Sequence, residues 1–119
     1  MSRDVDLLVG TAELDGAPSL KLFAREIAGV LGLENLRVGG PECVIGDGED
    51  FRAWLRFAPE DEEPSLSHPF RLEVAAEMGA EYEVGRRVFQ KLADTARFRV
   101  VLLLDHDCVR STHFPCEDW

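Results

Sequence analysis

The chain has 119 residues, 45% of them hydrophobic, and carries 23 Asp and Glu against 13 Lys and Arg for a net charge of −10. This length and apolar share predict one folded domain over residues 1–119 and exclude a solvated acidic tail. Charge of this sign repels nucleic acid and anionic membrane surfaces and attracts a basic partner, so binding is expected rather than chemistry.

Residues 5–9 alternate, with Val5, Leu7 and Val9 on one side and Asp6 and Leu8 on the other, which is the period of a strand with one buried face. Asp15-Gly16-Ala17-Pro18 reads as a turn. Ser19 is placed to cap a helix whose Leu20, Phe23, Ile27, Val30 and Leu31 recur at helical spacing, and Gly32 ends it. Residues 33–50 are cut into short pieces by Gly39, Gly40, Gly46 and Gly48 around Cys43-Val44-Ile45, so that two or three strands, counting the one at residues 51–57, are expected between the first helix and residue 70.

The clearest alternation follows. Phe51, Ala53, Leu55 and Phe57 form an inner set against outer Arg52, Trp54 and Arg56. Pro59-Glu60-Asp61-Glu62-Glu63-Pro64 is too acidic and too proline-bounded for regular structure. In residues 70–77 the inner set is Phe70, Leu72, Val74 and Ala76, and the outer set is Arg71, Glu73, Ala75 and Glu77. If the two strands pair with Leu55 facing Val74, Arg56 lies beside Glu73 and Arg52 beside Glu77; sliding by two puts Arg56 against Arg71. Charge pairing favours the first register.

Residues 81–96 predict a second helix with Tyr82, Gly85, Val88, Phe89, Leu92 and Ala96 on its buried face and Glu81 and Glu83 in its first turn, where acids suit the helix dipole. Residues 98–104 are almost wholly apolar, as in a strand covered on both faces. Asp105-His106-Asp107 turns the chain into a shorter strand at residues 108–113. The expected fold is thus α+β, a mainly antiparallel sheet with two helices packed on one face.

Candidate chemistry concentrates in the last strand and tail, where Asp105, His106, Asp107, Cys108, His113, Cys116, Glu117 and Asp118 gather metal-ligand types. Cys108, His113 and Cys116 with His106 could in principle form a tetrahedral zinc site, but no C-x-x-C spacing is present and residues 108 and 113 of one strand face opposite ways. The other reading is a polar hairpin and a solvated tail. His106 or His113 near Cys108, Ser111 and Thr112 lacks any positional signature of a nucleophile, and Asp105 and Asp107 read as turn formers as readily as an acid and base pair. The glycine pairs lack the lysine and the strand-to-helix context of a phosphate loop. No catalytic residue, cofactor or metal is therefore assigned.

Cys43, Cys108 and Cys116 are odd in number and without a tight repeat, so free thiols are expected, with Cys43 a small buried hydrophobe. No apolar run reaches the roughly 18 residues of a membrane span, and the start Met-Ser-Arg-Asp-Val-Asp carries acids where a secretory leader needs bases. A cytoplasmic location is expected. Partner contact is assigned to Arg52, Trp54 and Arg56, where Trp54 either anchors a partner or shields its own face beneath Arg stems, and to Glu60, Asp61, Glu62 and Glu63, either contacts or simply solvated charge.

Glu81-Tyr82-Glu83-Val84-Gly85-Arg86-Arg87-Val88-Phe89, followed by Val100-Val101-Leu102-Leu103-Leu104-Asp105, resembles small bacterial immunity proteins of the swarming-inhibition type, which neutralise polymorphic toxins. The likeness lies in the C-terminal part, with a compatible strand and helix at residues 5–31. It implies a cytoplasmic, non-enzymatic protein that binds a cognate toxin, and it transfers no contact residue. The rivals are a small hydrolase or metal-dependent enzyme built on Asp105, His106, Cys108 and His113, and a secretion-chaperone-like dimer exposing apolar grooves.

Overall fold

A strand with apolar residues on both sides needs cover on both sides. Strand β1, Val5–Thr11, meets that demand at the middle of the molecule: Val5, Leu7 and Val9 point to one face, Leu8 to the other, and all four are buried. The computed structural model describes residues 4–12 and 18–119; residues 15–17 of the expected turn, and residues 1–3 of the acidic start, lie outside the described residues.

Helix α1 runs Leu20–Leu31. The Ser19 hydroxyl accepts the Leu22 N–H at 3.3 Å, and Gly32 closes the helix in the left-handed region at φ 71°, which a side chain would resist. Strands β2 (Glu34–Gly40), β3 (Cys43–Asp47), β4 (Phe51–Phe57) and β5 (Phe70–Ala76) follow. Helix α2 (Glu81–Asp94) then leads to β6 (Phe98–Leu104), β7 (Asp107–Ser111) and a short 3-10 turn at Cys116–Asp118. The seven strands form one sheet in the order β2-β3-β4-β5-β1-β6-β7, every pair antiparallel.

Both helices lie on the inner face. α1 packs over β3 and β4, α2 over β5, β1 and β6, and the two touch each other. Beneath them Phe23 stacks on Phe70 with ring centres 4.0 Å apart and meets the edge of Phe98 at 5.6 Å. Each such fully buried side chain stabilises the fold by about 1.5–3 kcal/mol relative to exposure. On the opposite face a smaller cluster of Leu8, Val101 and Leu103 is covered by Cys108 and Phe114 of the C-terminal segment.

The structure corrects three expectations and settles the open count of strands after the first helix at three. Residues 34–40 form a full strand at the sheet edge, although their glycines and exposed positions hide any alternation. On α2 the buried side is Glu81, Val84, Gly85, Val88, Phe89 and Leu92; Tyr82 and Ala96 are exposed, because the stripe is rotated toward Val84 and the helix ends at Asp94.

The β4–β5 register is the one that charge pairing disfavoured, with Leu55 opposite Leu72 and Arg56 opposite Arg71. This register pairs both strands over their whole length and brings Phe57 against Phe70 at 5.2 Å; the alternative leaves Phe70 and Arg71 without partners on β4. The like charges are relieved sideways, since Arg56 reaches Glu73 diagonally at 3.2 Å and Arg71 reaches Asp6 on β1 at 3.0 Å.

Finally, Cys108 and Cys116 are not free thiols but a disulfide, with Cα atoms 5.3 Å apart. Phe114 folds the tail back over Leu8, Val101 and Leu103 and so carries Cys116 to Cys108, a proximity that spacing along the chain does not reveal. Cys43 is free and buried.

Candidate interaction surface

Pairing register converts the outer positions of the strands into rows across the sheet. One row runs Arg37, Ile45, Trp54, Glu73, Asp6, Leu103 and Cys108 from edge to edge. The rows beside it place Arg52 next to Asp47 and Arg56 next to Arg71. Arg52, Trp54 and Arg56 thus share the outer side of β4, with Trp54 half-buried between Ile45 and Glu73.

Around the indole the charges are interlocked. The Asp47 carboxylate accepts from Arg52 Nε at 2.9 Å and from both terminal nitrogens of Arg37 at 3.2 and 3.3 Å. The Arg37 guanidinium first, and that of Arg52 second, hold the Asp47 carboxyl below its usual range. Asp50 is likewise lowered by its bond to Arg87 of α2. Asp6, 6% exposed at the sheet centre, accepts from Arg71. Trp54 and the arginines on the same face are residue types enriched in protein-binding patches.

Glu60, Asp61 and Glu62 are exposed on the β4–β5 loop, and the ion pairs of Arg52 and Arg56 run to Asp47 and Glu73 rather than to them. Glu63 has a different task. Its carboxylate accepts the Ser67 N–H at 2.6 Å and the Ser67 hydroxyl at 2.8 Å, and so ties the loop to itself.

This loop holds a group whose sequence context gives no warning, His68, which lies outside every periodic pattern and is 2% exposed. Nδ1 lies 2.8 Å from the Pro64 carbonyl and 2.9 Å from Ser67 Oγ. The carbonyl can only accept, so Nδ1 carries the proton and Nε2 is a bare acceptor, buried and without a hydrogen-bond partner. Burial pulls the imidazole below its ordinary pKa, outweighing the Pro64 carbonyl and Glu63, which act to raise it. Glu63, Ser67 and His68 have the residue types of a hydrolase site, but Glu63 binds the serine instead of the histidine and the ring is sealed from substrate.

The C-terminal hairpin separates its candidate groups. Asp105 and His106 are the two central residues of a tight turn at φ 50° and 70°, and His106 lies 3.5 Å from the Asp4 carboxylate. His113 bonds Thr112 Oγ1 at 2.7 Å, and the sulfurs of Cys108 and Cys116 are bonded to each other. Among the described residues no three His, Cys, Asp or Glu side chains are grouped to hold a metal ion, and no helix is long and apolar enough to cross a membrane. No protein-family model, curated protein or solved structure matches the chain.

Proposed function

We propose that this chain is a non-enzymatic, immunity-like binding protein that neutralises a cognate bacterial toxin through the outer face of β4 and its neighbours. The single observation that carries the reading is Trp54, half-buried on the outer side of β4 between Arg52 and Arg56 of the same strand, with Arg37 further along its row and each arginine held by an acid. A half-buried tryptophan on a sheet face presents apolar area at low entropic cost, which is what a binding anchor requires. The exposed acids Glu60, Asp61 and Glu62 supply the steering charge for a basic toxin surface.

The hydrolase alternative is less well supported, because its cysteine is in a disulfide and its histidines face separate partners. Co-expression with the product of the adjoining upstream open reading frame tests the proposal. Restored growth of toxin-expressing cells and a co-purifying complex, both lost with Trp54→Ala, are expected. A housekeeping enzyme at that locus, with no complex formed, would overturn it.

A further inference from the structure

Between the start of α1 and the β2–β3 hairpin lies an open cleft of about 740 Å³, within the size range of small-molecule sites. It is on the helix side of the sheet, since Val44 in its wall pairs with the core residue Leu55. Leu20, Ala24, Leu36, Val38, Val44 and Phe57 give it an apolar lining. Two of them face solvent in a way a folded chain avoids without reason: Val38 is 82% and Leu36 40% exposed.

The charge at the mouth runs against the rest of the molecule. In a chain with 23 acids and 13 bases, the described residues that border the cleft include Lys21, Arg25 and Arg37, with Glu42 the one acid among them. Arg37 is committed to Asp47, whereas Lys21 and Arg25 stand exposed one turn apart on α1. The first turn of α1 contains no acid, so the positive end of its dipole adds to theirs.

We infer that this cleft binds a small amphipathic carboxylate, its hydrocarbon chain against Val38, Val44 and Phe57 and its carboxylate toward Lys21 and Arg25. An added peptide strand fits less well. The edge strand β2 breaks register twice, and Asn35 sits at φ 54° with its carbonyl already bonded by Arg37, so no regular ladder is offered.

Amide-resolved NMR titration of the intact chain with decanoate tests the assignment, with decyltrimethylammonium as the charge-reversed probe. Saturable decanoate shifts at α1 and β2–β3 are expected, together with much weaker binding of the cation. The exposed substitutions Lys21→Glu with Arg25→Glu should weaken decanoate about tenfold, as reversal of two surface ion pairs allows. Val38→Asp should weaken it as well, and Trp54→Ala should leave it unchanged. Absence of saturable binding overturns the inference, as does equal affinity for the cation or indifference to the three cleft substitutions. An acidic, apolar decapeptide that shifts the β2 amides where decanoate shifts none overturns it in favour of strand addition.

Discussion

Gly10→Ala strikes the point where the acidic loop is seated on the sheet. A Cβ at residue 10 would lie 2.0 Å from the Ser67 carbonyl oxygen and 3.1 Å from the His68 Cα, both backbone atoms that no rotamer change can move aside. The loop must retreat by more than about 1 Å for ordinary contact, against the Ser67 to Glu63 and His68 to Pro64 hydrogen bonds that fix it. Overpacking of this kind costs about 1–3 kcal/mol. With a urea slope of about 1–3 kcal/mol per molar, the unfolding midpoint should fall by roughly 1 M.

His68 supplies an independent readout. Its folded pKa is depressed by burial, so as pH falls the unfolded chain takes up the proton first. The stability due to the neutral ring is complete above about pH 6.5 and is lost below it, by at most about 1.4 kcal/mol per pH unit. In Gly10→Ala the loosened loop should let water reach the ring, raise its pKa toward the ordinary value and flatten this acid-side loss. The measurements are urea unfolding across pH and NMR titration of the His68 ring. An unchanged midpoint together with an unchanged His68 titration would refute the seating of the loop on Gly10.

Trp54→Ala should cost about 1–2 kcal/mol of stability, less than the 3–5 expected for a fully buried aromatic, yet weaken toxin binding about thirtyfold or more; calorimetric affinity and urea unfolding decide, and a larger stability loss with unchanged affinity would place the indole in a core. Replacing Cys108 and Cys116 by Ser opens a loop closed across a separation of 8 residues, for which the chain-entropy relation gives roughly 2.5 kcal/mol. Urea unfolding with and without dithiothreitol measures this, and three alkylatable thiols in the unreduced, denatured protein would contradict the disulfide. Glu60→Gln, Asp61→Gln and Glu62→Gln together, with Glu63 kept because it holds Ser67, should slow toxin association at low salt and leave dissociation unchanged in stopped-flow mixing. An association rate indifferent to both salt and substitution would reduce the acidity to a solubility device.

Period and punctuation along the chain were enough for β1, α1, β4, β5 and β6, because each presents an apolar set whose spacing reports its own burial. Val5, Leu7 and Val9 show it at two, Phe23, Ile27 and Leu31 at four, and Ser19 and Gly32 mark helix ends by chemistry that acts within one turn. The outward side of Trp54 was legible for the same local reason. The alternation also made a slide of two residues between β4 and β5 invisible, since every inner residue stays inner; whole-length pairing and the Phe57–Phe70 contact decided it.

The bounds of edge strand β2 are not written in the sequence, because a strand with one neighbour and a face partly open to solvent needs no apolar rhythm. The Cys108–Cys116 bond, the sealing of His68 and the cation-bordered cleft depend on segments meeting through folds of the tail, the β4–β5 loop and α1. Local spacing carries an element's own periodicity, while a contact between elements is set by the packing free energy of the whole, which only the assembled sheet and helices determine.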